Sequence, residues 1–187
     1  DGATGPEGPA GREGATGPAG PEGPVNPTST KEVLFRGAAQ GFQRVSAAPG
    51  ALSQQIPLVV LGDGSIVGLT ASMYERNLQP GTYVYNVCSN VPENATAPAA
   101  RNIISTITFI LNEITSGTIT FTIKPSDPNT QPVFVSNGGP YVVANATVSW
   151  SSNIPGDPIA RNDAISLYLD NFVTQNAVYA LFLSTKI

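Results

Sequence analysis

The sequence predicts an all-β protein, an antiparallel jelly-roll sandwich behind a short collagen-like stalk, from three observations. Glycine falls at every third position from Gly2 to Gly23, and the period then stops. After residue 26, short β-prone runs alternate with turns rich in Gly, Pro and Asn. No run long enough for a helix keeps its apolar residues at helical spacing.

The period of three is the signature of a triple helix. Gly2, Gly5, Gly8, Gly11, Gly14, Gly17, Gly20 and Gly23 head eight triplets. Three polyproline-II chains wind so closely that only a hydrogen atom fits at their shared axis. Pro6, Pro9, Pro18, Pro21 and Pro24 follow the glycines and hold φ near the value this helix needs. A disordered Pro/Gly linker has the same composition but no reason to keep the period without a slip. Residues 1–25 therefore read as a stalk and residues 26–187 as the head, and the chain is expected to work as a homotrimer. Arg12 and Glu13, with Glu7 and Glu22, can pair across the stagger of the chains, at about 0.2–1 kcal/mol per exposed pair. Eight triplets without hydroxyproline are marginal alone, so the head is expected to nucleate and clamp the stalk.

The head contains every aromatic residue: seven Phe, six Tyr and one Trp. Its length suffices for one ordinary core. Strand signals fall at Val33–Arg36, Leu58–Leu61, Ser65–Leu69, Thr82–Ser89 and Ile103–Leu111, then at Thr118–Lys124, Pro132–Ser136, Ala144–Ser151, Ala164–Asp170 and Ala177–Thr185. The clearest is Thr118–Lys124, where Ile119, Phe121 and Ile123 alternate with threonines, the pattern of a half-buried strand. Gly62-Asp63-Gly64 predicts a hairpin between Leu58–Leu61 and Ser65–Leu69. Pro80-Gly81 opens one strand, and Asn137-Gly138-Gly139 supplies another turn. Gln40–Ser53 and Asn90–Ala100 read as long surface loops. In the last strand both faces are largely apolar, which one-sided burial does not require. Tyr179, Leu181, Phe182 and Leu183 are therefore the candidate trimer contacts, packing on neighbouring subunits near the threefold axis.

The residue inventory excludes most chemistry. With no histidine and only Cys88, the chain has no His-based acid–base pair, no Ser-His-Asp triad, no usual zinc site and no intrachain disulfide. Cys88 shares a strand face with Val84 and Asn86 and reads as a small buried apolar residue. The glutamates of the head are far apart in sequence, so nothing marks a glycosidase pair. Asp127, Asp157, Asp163 and Asp170 lie in or near loops without calcium-loop spacing and read as solvated carboxylates. The chain is thus expected not to be an enzyme and to need no cofactor or metal.

A net charge of −4 and the lack of a basic stripe argue against nucleic acid. The apolar runs Ile56–Leu61 and Tyr179–Leu183 are far short of the roughly 20 residues of a membrane span. The charged share, 12%, is about half the usual, as on many secreted, cell-surface and virion β-proteins. Asn94-Ala95-Thr96 and Asn145-Ala146-Thr147 match the N-glycosylation pattern, which arises often by chance in such a chain. Tyr141 and Trp150 are the candidate ligand surface, able to stack on a sugar, although both residue types are more often core. The chain opens within a collagen repeat, and a preceding anchoring segment is expected.

The GPx and GAT triplets running into the head, the strand opening at Pro80-Gly81-Thr82-Tyr83-Val84-Tyr85, and the short terminal strand ending at Lys186-Ile187 carry a family resemblance. The chain resembles collagen-like surface proteins with trimeric TNF-like heads, in particular Bacillus exosporium glycoproteins of the BclA type. That resemblance implies a structural fibre on a spore surface or its appendages, held by an anchoring partner, with the head outward. It also implies O-linked sugars on stalk threonines, here Thr4 and Thr16; bare hydroxyls facing solvent are the alternative. A second resemblance is to bacteriophage vertex spikes and tail fibres, which join collagen repeats to trimeric β heads and imply a receptor- or glycan-binding head. Eight triplets at roughly 3 Å per residue make a stalk of about 70 Å, which suits either.

Overall fold

A computed structural model describes residues 1–8, 30–37, 41–43, 58–170 and 178–187 of the chain. Gly11 to Gly23, Thr16 and most of Gln40–Ser53 lie outside the described residues. Residues 1–8 are exposed and belong to no helix or strand. A Cβ at Gly2, Gly5 or Gly8 would meet nothing within 4 Å. Within one chain nothing there demands glycine; only a shared axis would.

The described head consists of antiparallel strands and one short 3-10 turn, Ala100–Asn102. The strands are β1 (Thr30–Gly37), β2 (Gly41–Gln43), β3 (Leu58–Val59), β4 (Gly64–Leu78), β5 (Gly81–Ser89) and β6 (Ile103–Leu111), then β7 (Thr115–Ile123), β8 (Gln131–Ser136), β9 (Val142–Ser152), β10 (Pro158–Ile159), β11 (Ala164–Asp170) and β12 (Val178–Lys186). Along the hydrogen-bonded path they run β1-β12-β4-β7-β8-β9-β6-β5-β11-β2. Of the two short strands off this path, β10 pairs with β4 and β3 with β11.

This path folds back on itself as a β-sandwich. Leu69, Ala71 and Met73 of β4, Ile119, Phe121 and Ile123 of β7, and Leu181 and Leu183 of β12 share one buried cluster with Tyr83, Tyr85 and Val87 of β5, Ile107 and Phe109 of β6, and Leu167 and Leu169 of β11. Contacts between strands that are not neighbours show the layers meeting face to face. Phe121 of β7 lies 5.6 Å from Phe109 of β6 and 6.1 Å from Tyr85 of β5, ring centre to ring centre. The Tyr85 hydroxyl donates to Met73 Sδ across the same gap, at 3.7 Å. Such aromatic pairs add about 0.5–1.5 kcal/mol each beyond their buried area.

Three expectations need correction. Within Gln40–Ser53, expected as a surface loop, Gly41–Gln43 is a strand that pairs with β11 and buries Phe42 completely. The Gly62-Asp63-Gly64 turn does not close a hairpin: β3 pairs with β11 and β4 with β12, β7 and β10. Both edges of β4 are already occupied, so the turn carries the chain from one layer to the other, and Asp63 Oδ1 accepts from the Arg161 amide at 2.8 Å. The strand expected at Ser65–Leu69 runs on to Leu78. Its continuation through Thr70-Ala71-Ser72-Met73, where Ala71 is a poor strand former, is held by partners on both sides. Asn90–Ala100 contains no strand, as expected of a loop.

The registers define two ends of the sandwich. Thr30 pairs with Lys186 and Lys186 with Ser65, so β1 begins where β4 begins and β12 finishes. At Gly64 a Cβ would stand 1.9 Å from the Lys186 carbonyl oxygen, so only glycine allows β12 to close this end. Leu78 pairs with Thr115, Gly81 with Leu111, and Val135 with Val142. The connections 79–80, 112–114 and 137–141 therefore gather at the end opposite the start of β1.

Candidate functional site

The outward side of β12, β4, β7 and β8 is built from rows of facing residues. One row runs Ala180, Ser72, Thr120, Phe134 and, on β9, Val143. A second runs Phe182, Thr70, Thr122, and a third Val178, Tyr74, Thr118, Ser136. Because strand side chains alternate, these are the partners left over when Leu69, Ala71, Met73, Ile119, Phe121 and Ile123 turn inward. Hydroxyl-bearing residues thus occupy the centre of the face, with Tyr74, Phe134 and Phe182 around them. On β12, β4, β7 and β8 no charged side chain lies in these rows; on the neighbouring β1 the first row continues to Arg36, and Arg76 and Lys124 stand beyond. Between β4, β7 and β8 the face dips into a hollow of about 260 Å³ lined by Thr70, Ser72, Thr120, Thr122, Pro132 and Phe134. The face thus shares low charge and retained aromatic rings with the cores of protein contact surfaces, but not their scarcity of Ser and Ala.

The candidate trimer contacts fall on opposite faces of β12. Leu181 and Leu183 are wholly buried in the core of their own chain and have no surface to offer a neighbour. Phe182 lies on the outer face and is partly exposed. The side chain of Tyr179 lies outside the described residues. Sequence reasoning passed over Ser72, Thr120 and Phe134 because a Thr/Ser face looks solvated until five strands place it in one uncharged row.

The candidate ligand surface does not come together. Tyr141 is exposed just before β9, whereas Trp150 lies near the far end of that strand. Nine residues of strand separate them by roughly 30 Å. Trp150 packs against the core, and its indole Nε1 donates to Asp157 Oδ1 at 3.2 Å.

Asp157 itself overturns the solvated-carboxylate reading. It is 1% exposed, and its carboxylate also accepts from Ser105 Oγ at 2.6 Å and Ser152 Oγ at 2.7 Å. Its backbone adopts φ +48° and accepts from the Ile66 amide, so one residue ties β6, β9 and β4. Asp127 and Asp163 are engaged in turns: Asp127 accepts from the Lys124 amide, and Asp163 from the Ala160 amide and Asn90 Nδ2. Asp170 is exposed at the end of β11. No cluster of three or more Cys, Asp or Glu suited to a metal ion occurs among the described residues.

Cys88 is fully buried, and burial pushes its thiol up to about 12. The Tyr83 hydroxyl is also raised, first by burial and second by the nearby Glu75 carboxylate. Asn94 and Asn145 are exposed, and Asn145 Oδ1 accepts from Asn112 Nδ2 at 3.1 Å. Thr4 is exposed. Among the described residues no helix is long and apolar enough to cross a membrane. Comparison with protein-family models, with curated proteins and with solved structures finds no match to this chain.

Proposed function

We propose that this chain is the trimeric head and adjoining stalk of a structural surface fibre, with a jelly-roll head that assembles the three chains and caps a collagen-like stalk. The strand order supports the jelly-roll reading. One layer is β1-β12-β4-β7 and the other β2-β11-β5-β6; β1–β2, β4–β5, β6–β7 and β11–β12 cross between layers, β5 and β6 pair within one, and β8–β9 is inserted at one side. The observation that carries the assembly reading is the unbroken glycine period, which has a physical cause only when three chains share an axis. The uncharged outer face of β12, β4, β7 and β8 is the surface on which three heads would meet, with Phe182, Tyr74 and Phe134 as its apolar anchors. A spore surface or appendage, with an anchoring partner at the stalk end, is the setting that the family resemblance suggests.

The test is the solution mass of the full chain by light scattering coupled to gel filtration, for the wild type and for Ser72→Arg and Thr120→Arg. A trimer reduced to monomer by either substitution, with the fold retained by circular dichroism, is the expected result. A monomeric wild type would overturn the proposal. A trimer indifferent to both substitutions would move the contact to another face. An adhesive, receptor-binding head is a second reading, favoured by exposed apolar residues at the end of the head opposite the start of β1.

A further inference from the structure

The β8–β9 hairpin and the β6–β7 connection border a shallow, open hollow of about 340 Å³ at the end of the head opposite the start of β1. Its apolar floor is Ile114, Val135, Pro140 and Val142. Ile114 is 60% and Val142 58% exposed, large values for aliphatic side chains standing together, and Tyr141 between Pro140 and Val142 is 54% exposed. Contiguous exposed apolar surface of this kind marks interaction sites more often than accident. Val135 and Val142 face each other in register, one step from the Phe134–Val143 pair. Alternation therefore puts the hollow on the opposite side of the hairpin from the uncharged outer face, and it is complete within one chain.

The lip carries the polar groups. Ser116 Oγ already accepts from the Asn77 amide and donates to Asn77 Oδ1, and Thr115 Oγ1 donates to the Glu113 carbonyl. The Glu113 carboxylate and the Asn137 amide are left, both exposed. Gly117, with φ +119° and a would-be Cβ only 2.2 Å from the Ser136 carbonyl oxygen, lets β8 approach closely enough to set Asn137 over the rim.

We propose that this hollow binds a neutral saccharide, one or two pyranose rings seated on the aliphatic floor with hydroxyls bonded to Glu113 and Asn137. A pyranose presents an apolar C–H face edged by hydroxyls, the same division as the hollow. Its hydroxyls donate to the carboxylate and accept from the amide. A hydrocarbon ligand would strip water from Glu113 without replacing it. An anion would meet the carboxylate head-on. A peptide added as a further strand would need a free edge, yet β7, β8 and β9 each have partners on both sides. The volume lies at the lower end of the roughly 300–1,000 Å³ of small-molecule sites, fitting one or two rings rather than a chain.

The experiment is saturation-transfer NMR on the full chain with methyl glycosides of glucose, galactose, mannose, rhamnose, fucose and N-acetylglucosamine. Each is offered at millimolar concentration to wild type, Val142→Arg, Glu113→Gln and Leu61→Ser. At least one glycoside is expected to show transfer to its ring protons. Its binding should weaken by at least about tenfold in Val142→Arg and Glu113→Gln, as expected for losing the seat or a charged hydrogen-bond partner. It should be unchanged in Leu61→Ser, an exposed residue at the opposite end of the head and outside the outer face. No transfer from any glycoside overturns the proposal, as does binding that survives both hollow substitutions. Solution mass measured on the same samples separates this result from the trimer: binding by a monomer would uphold the hollow while removing the assembly reading.

Discussion

Replacing Asp157 by Ala should be among the most damaging single changes in the head. The carboxylate accepts three side-chain hydrogen bonds, from Ser105, Trp150 and Ser152, at 2.6, 3.2 and 2.7 Å. Hydrogen bonds to a charged group contribute about 1.5–3 kcal/mol when buried, and the 3.2 Å bond belongs at the low end. Truncation also leaves the buried Ser105 hydroxyl without its acceptor and puts a β-carbon-only side chain at φ +48°, where Asp is better tolerated. Because the three bonds form one network their costs do not add, and a loss of about 4 kcal/mol is expected. Asp157→Asn, which keeps shape and one acceptor oxygen, should cost about half as much. Urea unfolding of the full chain at fixed protein concentration, followed by Trp150 fluorescence, reads both values. The fluorescence reports the same site because the indole is one of the donors. A cost below about 1 kcal/mol for Asp157→Ala would refute the reasoning, because water would then be replacing the carboxylate at a site described as closed.

Gly117→Ala should destabilise the chain by about 3 kcal/mol or more in the same urea assay, since it combines a positive φ with a backbone clash and β7 cannot withdraw without opening its pairing with β8. Cys88 supplies a pH signature. Its folded thiol holds its proton to about 12, while an unfolded thiol releases it near about 8.5, so the unfolded chain ionises first and stability falls as pH rises between these values. Relative to Cys88→Ala, the wild type should lose about 2 kcal/mol between pH 7 and pH 10. A pH-independent difference would show that the thiol is not sealed. Residues 26–187 alone should keep the solution mass of three chains if the outer face of β12, β4, β7 and β8 holds the assembly, whereas dissociation on removing residues 1–25 would place the holding force in the stalk.

Local pattern made much of the head legible. The alternation Ile119, Phe121, Ile123 against Thr118, Thr120, Thr122 identifies β7 and its buried face without reference to any other strand, because side-chain direction in a strand depends only on position along it. Residue type rather than alternation made Cys88 and the loop at Asn90–Ala100 readable, for Val87 and Cys88 are both buried across a register shift. The candidate surfaces were not. Phe182 lies between two core leucines in a sequence apolar on both faces, and only the pairing of β12 with β4 turns Leu181 and Leu183 inward and leaves Phe182 outside.

Chain chemistry without coordinates specifies the glycine period, an all-β head, the lack of histidine chemistry and the faces of individual strands. Each follows from spacing or residue type along a few consecutive positions. Tertiary structure alone decided that Gly62-Asp63-Gly64 crosses between layers, that Asp157 is buried under three donors, and that Tyr141 and Trp150 lie at opposite ends of β9. It also gathered Ile114, Val142 and Asn137 around one hollow. These depend on which distant strands share an edge, and that choice is made by burying both layers together, a contest that no short window of sequence records.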